Sequence, residues 1–333
     1  MRTAFIQSLT EAAAKDSRVM LVVGDLGFGV VTDFARRFPK QFLNVGVAEQ
    51  NMAGVATGLA LSGQVVFTYS IANFPILRCL EQIRNDICYH NANVISVSVG
   101  SGYCYGALGM THHGTEDIAM MRSLPGMNVV SPGDPVEAKA ATDSLAQGIG
   151  PAFLRLGRAG EPVVHETKID WQLGKAIKVR HGCDVAVLAT GSMLKRAVDA
   201  AEILKRKGIE AAVLSMHTIK PLDVEAVLEV IDTVPMVFTL EEHSIFGGLG
   251  GAVAEIIAEQ GTGQVRFKRL GLPSVFTNHV GDQDYLLQQY RLTADRIAED
   301  ILATVNEHTH FSNATRRFHR LEEEYLQQKR KIA

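Results

Sequence analysis

Cysteine and tryptophan are scarce: the 333-residue chain has four of the first and one of the second. Cys79, Cys88, Cys104 and Cys183 form no C-x-x-C pair, which removes the zinc-ribbon and thioredoxin-like readings. Unpaired thiols in a chain of this size suit a reducing compartment. No apolar run approaches the roughly 18 residues of a membrane span, and no signal-peptide core follows Met1-Arg2-Thr3. Neither sign of charge dominates: 33 Lys+Arg face 36 Asp+Glu, a net charge of −3. That balance gives no basic footprint for nucleic acid and no pull toward anionic lipid. A cytoplasmic protein is expected. Hydrophobic residues make up 47% and charged residues 21%, so a folded chain with ordinary cores is expected. The length suggests two domains.

Helix-like and strand-like segments alternate. Residues 4–14 have helical spacing, and Val19–Val23 is an apolar strand ending at Gly24-Asp25. Further strands are expected at 42–45, 64–69, 94–99, 127–131 and 152–156, and helices at 47–61, 74–89, 115–123 and 134–147. Such alternation predicts βαβ units. The fold class is therefore α/β, with two doubly wound domains built on mainly parallel sheets.

Polar residues 158–180, which include Trp171, interrupt the rhythm and predict a linker across the surface. A second alternating block follows, with strands at 184–189, 210–216, 236–240 and 265–270. Its helices are expected at 192–207, 223–231, 248–260 and 294–304. From about residue 313 the charge density of Arg316, Arg317, Arg320, Glu322, Glu323, Glu324, Lys329, Arg330 and Lys331 predicts a solvated helical tail.

In parallel α/β sheets, ligands bind beyond the carboxyl ends of strands. Four segments qualify. Gly24–Gly29 follows a strand, but Thr32 stands where G-x-G-x-x-G needs its last glycine, so a tight turn capped by Asp25 competes with a cofactor loop. Glu49 opens a helix rich in Ala53, Gly54, Ala56, Gly58 and Ala60. It either complements the helix dipole or is desolvated by close packing, which would raise its pKa and let it share a proton. Ser101–Gly114 is glycine-rich and holds Tyr103, Cys104, Tyr105, His112 and His113. Its histidines suit hydrogen bonding or proton transfer, and no third residue completes a metal site. Glu241–Gly251 could hold an anion or serve close subunit packing.

In this order, the segments resemble the carboxyl-terminal half of transketolase and its wider group of thiamine diphosphate enzymes. The carrying residues are FLNVGVAEQNM at 42–52, Glu81-Gln82-Ile83-Arg84-Asn85, LGMTHHGTE at 108–116 and Arg122–Met127. Gly191-Ser192, Thr218–Asp223, and Glu241-Glu242-His243 with Gly247–Gly251 complete the set. The match covers roughly residues 2–305. The resemblance implies a pyrimidine-binding domain at 1–160, a linker at 161–180, a transketolase C-terminal-like domain at 181–310 and the tail at 311–333. Glu49 matches the glutamate that hydrogen-bonds N1′ of the cofactor's aminopyrimidine. There a shared proton prepares the cofactor to break a carbon–carbon bond. Phe74 matches the aromatic stacked on that ring, and Ile71 stands where a second aromatic is common. Asp25 matches an acid near the thiazolium, and His112 a histidine facing the reacting centre. Arg158 matches an arginine that pairs with substrate phosphate. Arg2 aligns with a second such arginine, or forms a surface salt bridge.

Three departures bear on substrate. Leu108 replaces an aspartate that reads a sugar hydroxyl, Gly100 a substrate-binding histidine, and Gly29 a phosphate-binding serine. An unusual sugar acceptor is expected, because site polarity must match the substrate. The sequence also contains no Gly-Asp-Gly, which begins the family's diphosphate and metal motif. The resemblance then implies a separate amino-terminal subunit that holds the diphosphate and Mg2+ (or Ca2+), in an α2β2 assembly. The alternatives are a deoxyxylulose-phosphate synthase-like or 2-oxo acid dehydrogenase E1 β subunit, or a non-catalytic subunit that kept the fold.

Overall fold

Two sheets, both mostly parallel, organise the computed structural model, which describes residues 1–261 and 265–307. The charged tail expected from about residue 313 lies outside the described residues. Strands of the first block are β1 (Val19–Val23), β2 (Phe42–Asn44), β3 (Val65–Ile71), β4 (Val94–Val99), β5 (Asn128–Val130) and β6 (Ala152–Leu156). The remaining strands are β7 (Ile177–Arg180), β8 (Val185–Ala189), β9 (Ala211–Ser215), β10 (Thr218–Lys220), β11 (Met236–Ser244) and β12 (Arg266–Leu272). Helices are α1 (Arg2–Lys15), α2 (Thr32–Arg37), α3 (Glu49–Leu61), α4 (Leu80–Gln82), α5 (Asp117–Ser123) and α6 (Pro135–Leu145). They continue as α7 (Met193–Lys205), α8 (Val224–Thr233), α9 (Leu249–Gln260) and α10 (Gln283–Gln289), followed by a helix at 294–307.

The first sheet has the order β10-β5-β6-β4-β3-β1-β2, and the second β12-β11-β8-β9-β7. Successive side chains point to opposite faces, and helices cover both, so the central strands are buried on both faces and mostly apolar, with Ser96 and Ser98 in β4 and Arg155 in β6 among the buried polar exceptions. In β1, Val19, Leu21 and Val23 pack with Phe5, Leu9 and Ala13 of α1, while Val22 packs with Met52, Ala53 and Ala56 of α3 on the opposite face. The chain leaves β1 for β2 on one side and then returns to β3 on the other. That reversal is a topological switch point, where the diverging strand ends leave a crevice.

Several details differ from the sequence expectations. Residues 74–89 form no single helix: a 3₁₀ turn at Leu77–Cys79 leads into α4 and then a π turn at Ile83–Cys88. Residues 177–180 leave the linker and form β7, antiparallel to β9. The short β10 pairs antiparallel with β5, so a strand from the second block closes the edge of the first sheet. The linker itself is anchored: the Trp171 ring stacks on His217 at 4.9 Å. In addition, the Val164 and His165 amides each donate to Asp134 Oδ2 at 2.9 Å. In α3, Ala53, Ala56 and Ala60 face the core, whereas Gly54 and Gly58 are exposed, with no atom near a would-be Cβ.

A buried arginine ties the two blocks together. Arg155, at the end of β6, donates from Nε to Asp117 Oδ2 at 2.8 Å and from Nη2 to the carbonyls of Gly114 (2.7 Å) and Glu242 (2.9 Å). The second sheet also has a strand-end crevice, and protein fills it. Both Glu241 oxygens accept amides at the start of α9, from Leu249 and Gly250, at 2.8 Å each. Glu242 accepts from the Tyr103 amide (2.7 Å), Ser192 Oγ (2.7 Å) and Gln283. The α9 amides that an anion could have used are thus taken by Glu241 itself. Burial raises the pKa of both carboxyls, and these hydrogen bonds oppose the rise.

Candidate active site

Three loops converge at the carboxyl ends of β1, β2 and β3. The Gly24-Asp25 turn follows β1, Glu49 opens α3 after β2, and Phe74 lies just beyond β3. Gly24 is close to Glu49: a Cβ there would lie 3.8 Å from Glu49 Cγ and 3.9 Å from Met52 Sδ. Asp25 does not cap a helix. Its Oδ1 accepts from Asn44 Nδ2 at 2.9 Å, its amide donates to Asn44 Oδ1 at 3.0 Å, and α2 starts at Val31 without a side-chain cap.

Glu49 is 3% exposed, as close packing predicted. It also has a partner that its sequence neighbourhood does not reveal. Arg78 Nη1 donates to Glu49 Oε2 at 3.1 Å, and the same guanidinium lies over the Phe74 ring, 4.5 Å from its centroid. Among the described residues, Glu49 Oε1 receives no hydrogen bond, so one oxygen is free to accept. Ile71 ends β3, and its carbonyl accepts from the Phe74 amide at 2.9 Å, which turns the ring into the crevice. The His112 ring meets the Phe74 ring edge-on at 5.0 Å, and its Nδ1 contacts Thr111 Oγ1 at 3.0 Å.

The two adjacent histidines thus part company. His113 is buried, its Nε2 lies 3.3 Å from the Gly106 carbonyl, and its ring abuts Tyr103 at 4.8 Å. Burial lowers its pKa, which favours the neutral ring. His113 is a core residue, and His112 the one at the crevice.

A second group gathers beyond β4 and β6. Arg158 Nη1 donates to the Cys104 carbonyl at 3.3 Å, and the Arg2 amide donates to the Arg158 carbonyl at 3.2 Å. The Arg2 charge lies near the Tyr69 and Tyr105 hydroxyls and favours their ionised forms. Among the described residues neither Arg2 nor Arg158 forms a carboxylate ion pair, so the surface salt bridge weighed for Arg2 is not what forms. Arg158 also lines an open cleft of about 570 Å3 between the two blocks, with Lys195 and Arg196 on its far wall.

The residues present suit an aminopyrimidine ring: a buried carboxylate with one free oxygen, an aromatic face, and a close-packed backbone at a switch point. They do not suit a metal. Among the described residues, no group of three or more His, Cys, Asp or Glu could hold an ion. No helix among them is long and apolar enough to cross a membrane.

Comparison with known proteins agrees with this arrangement. The family description "Transketolase, pyrimidine binding domain" matches residues 1–160, and "Transketolase, C-terminal domain" matches residues 174–297. The chain belongs to the transketolase family. It is 38% identical over 306 residues to an apulose-4-phosphate transketolase subunit of Phocaeicola vulgatus, covering 91% of this chain and 97% of that protein. It is also 38% identical over 298 residues to the 6-deoxy-6-sulfo-D-fructose transketolase subunit SqwH of Clostridium sp. (strain MSTE9), covering 89% and 92%. A solved split-gene transketolase, described as an inactive beta4 tetramer, superposes with a TM-score of 0.84 at 36% identity, over 92% of this chain and 98% of that one. Transketolases are thiamine diphosphate-dependent transferases.

Proposed function

We propose that this chain supplies the pyrimidine side of a two-subunit transketolase active site, which moves a two-carbon ketol unit from a ketose to an aldehyde of a non-standard sugar. One observation carries the reading: a buried carboxylate, Glu49, stands beside an aromatic face, Phe74, at the β1/β3 switch point. In this reading Glu49 Oε1 would share a proton with N1′ of the aminopyrimidine, and Arg78 holds the other oxygen in place. Phe74 and Ile71 form the ring's wall, and Asp25 lies toward the thiazolium. When bound, thiamine diphosphate supplies an electron sink for cleavage of a carbon–carbon bond. His112 hydrogen-bonds the reacting oxygens and moves a proton there. Arg158 and Arg2 hold an anionic group at the far end of the substrate.

An amino-terminal subunit holds the diphosphate and its Mg2+ (or Ca2+), in an α2β2 heterotetramer. The domain boundaries follow: pyrimidine domain to about residue 160, linker to 180, C-terminal domain beyond. The reaction belongs to cytoplasmic carbohydrate metabolism. Substrate specificity in the relatives supports an unusual sugar, as does the loss of polar groups at Gly29, Gly100 and Leu108. The test is reconstitution with an amino-terminal partner, followed by a screen of ketose donors and aldehyde acceptors. Ketol transfer to a modified sugar aldehyde in preference to ordinary pentose phosphates is expected. Efficient turnover of ordinary pentose phosphates would refute the substrate assignment.

A further inference from the structure

The carboxyl end of β4 carries an aromatic residue that the proposed reaction does not use. Gly100, the first residue after β4, has φ +104°, a conformation that L side chains rarely adopt. The Tyr105 ring lies directly on it, so that a Cβ at position 100 would collide with Cδ2 and Cε2 of that ring. A side chain at 100 and the ring of Tyr105 thus exclude one another. The ring is half-buried, with the charges of Arg2 and Arg158 nearby, and Arg158 Nη1 donates to the carbonyl of the preceding residue, Cys104. Tyr69, at the same arginine, lies beneath the β1 loop: a Cβ on Gly27 would approach its ring to 3.0 Å.

Chemistry assigns this cluster an occupant. Two guanidiniums without carboxylate partners face two phenols. Each phenol carries an O–H that can donate, and the Arg2 charge lies near both. Burial raises the pKa of both phenols, that of Tyr69 to about 12, so both keep their protons at neutral pH. A site offering phenol O–H donors and unpaired positive charge matches a tetrahedral oxyanion, the form of a terminal phosphate or sulfonate.

We infer that Tyr105 is a specificity-determining residue, whose hydroxyl, beside Arg2 and Arg158, donates to the terminal oxyanion of the sugar in the place a residue-100 side chain would otherwise fill. The inference rests on the proposed ketol transfer and on Arg158 as its anion partner. It adds that this chain reads the charged end of the substrate with a phenol, and that Gly100 is required for the phenol to be there.

The test uses the reconstituted two-subunit enzyme with Tyr105→Phe, and with exposed Tyr89→Phe as the control. Three acceptors are compared: an aldehyde with a terminal phosphate, one with a terminal sulfonate, and uncharged glycolaldehyde. For Tyr105→Phe, KM should rise about tenfold or more for whichever charged acceptor is native, as for loss of one hydrogen bond to an anion. The glycolaldehyde KM and kcat should stay within about threefold, and Tyr89→Phe should match wild type throughout. The larger KM change separates phosphate from sulfonate. Equal KM changes for all three acceptors, or none, overturn the inference. Titration of inorganic phosphate or sulfate into the same assembly gives a readout free of turnover. Binding that weakens at least fivefold in Tyr105→Phe supports the inference, and undiminished binding or none in wild type overturns it. If wild type binds the anion yet transfers no ketol unit, the proposed function fails and the role of Tyr105 in anion binding still stands.

Discussion

Replacing Arg155 by methionine should destabilise the protein more than most other single changes. The Arg155 side chain is 1% exposed and its partner Asp117 is 0% exposed, so neither charge can turn to water. Burial disfavours the arginine's charge, and Asp117 more than restores it. In Arg155→Met, the Asp117 carboxylate is left buried without a counter-charge, and the Gly114 and Glu242 carbonyls lose their shared donor. Breaking a buried pair from one side costs about 3–5 kcal/mol, a figure that already includes most of the lost hydrogen bonding. At roughly 2–4 °C per kcal/mol for a chain of this size, Tm should fall by about 6–20 °C. Adding Asp117→Asn should recover a large part of the loss, because the stranded charge is then gone. Thermal unfolding of the wild type, Arg155→Met and the double variant measures both terms. A loss below about 1 kcal/mol would refute the reasoning, and so would a double variant no better than the single. The effect reaches the site as well, because Gly114 closes the loop that carries His112.

The other predictions concern the linker and the crevice. His165 Nε2 lies 2.7 Å from Glu137 Oε1, and although burial opposes its charge, the carboxylate outweighs this and raises its pKa. The folded state then favours protonated His165, so its stabilisation is complete below the ordinary histidine value of about 6.5 and is lost as pH rises through the raised one. The Tm gap between wild type and His165→Phe should therefore be widest near pH 5–6 and narrow toward pH 9, and a gap constant with pH would contradict the pairing. Arg78→Met should lower kcat of the reconstituted enzyme about tenfold by freeing the Glu49 carboxylate, while Tm moves little because Arg78 is half-exposed. A variant as active as wild type would show that Arg78 does not position Glu49.

Much of the architecture was legible because buried parallel strands are mostly apolar runs. Val19–Val23, residues 94–99 and residues 152–156 coincide with β1, β4 and β6. Elements held by tertiary pairing were not. Three residues of β10 carry no periodicity, and only the edge of β5 makes them a strand. The linker residues 177–180 become β7 because β9 offers an open edge. The family resemblance points to Glu49, Phe74, Asp25 and His112, and the structure sets Glu49, Phe74 and His112 around one crevice beside the Gly24-Asp25 turn. Arg78 was missed although it lies four residues after Phe74, a spacing that brings side chains together on a helical turn. Tyr105 was seen in its loop but had no role, since its contact with Gly100 exists only in three dimensions. The Glu49 burial was foreseen from the small residues of α3, but the face that packs is the alanine one, and Gly54 and Gly58 lie outside it.

The central claim is that this chain carries the proton-sharing half of a thiamine diphosphate site and needs a second subunit for the rest. The most direct measurement is cofactor-dependent ketol transfer by this chain alone, by the amino-terminal partner alone and by the mixture, each with wild-type chain and with Glu49→Gln. Activity should arise only in the mixture and fall about 10²–10⁴-fold in Glu49→Gln, the range for loss of a positioned acid–base group. Transfer by this chain alone, or a Glu49→Gln mixture as active as wild type, would contradict the account.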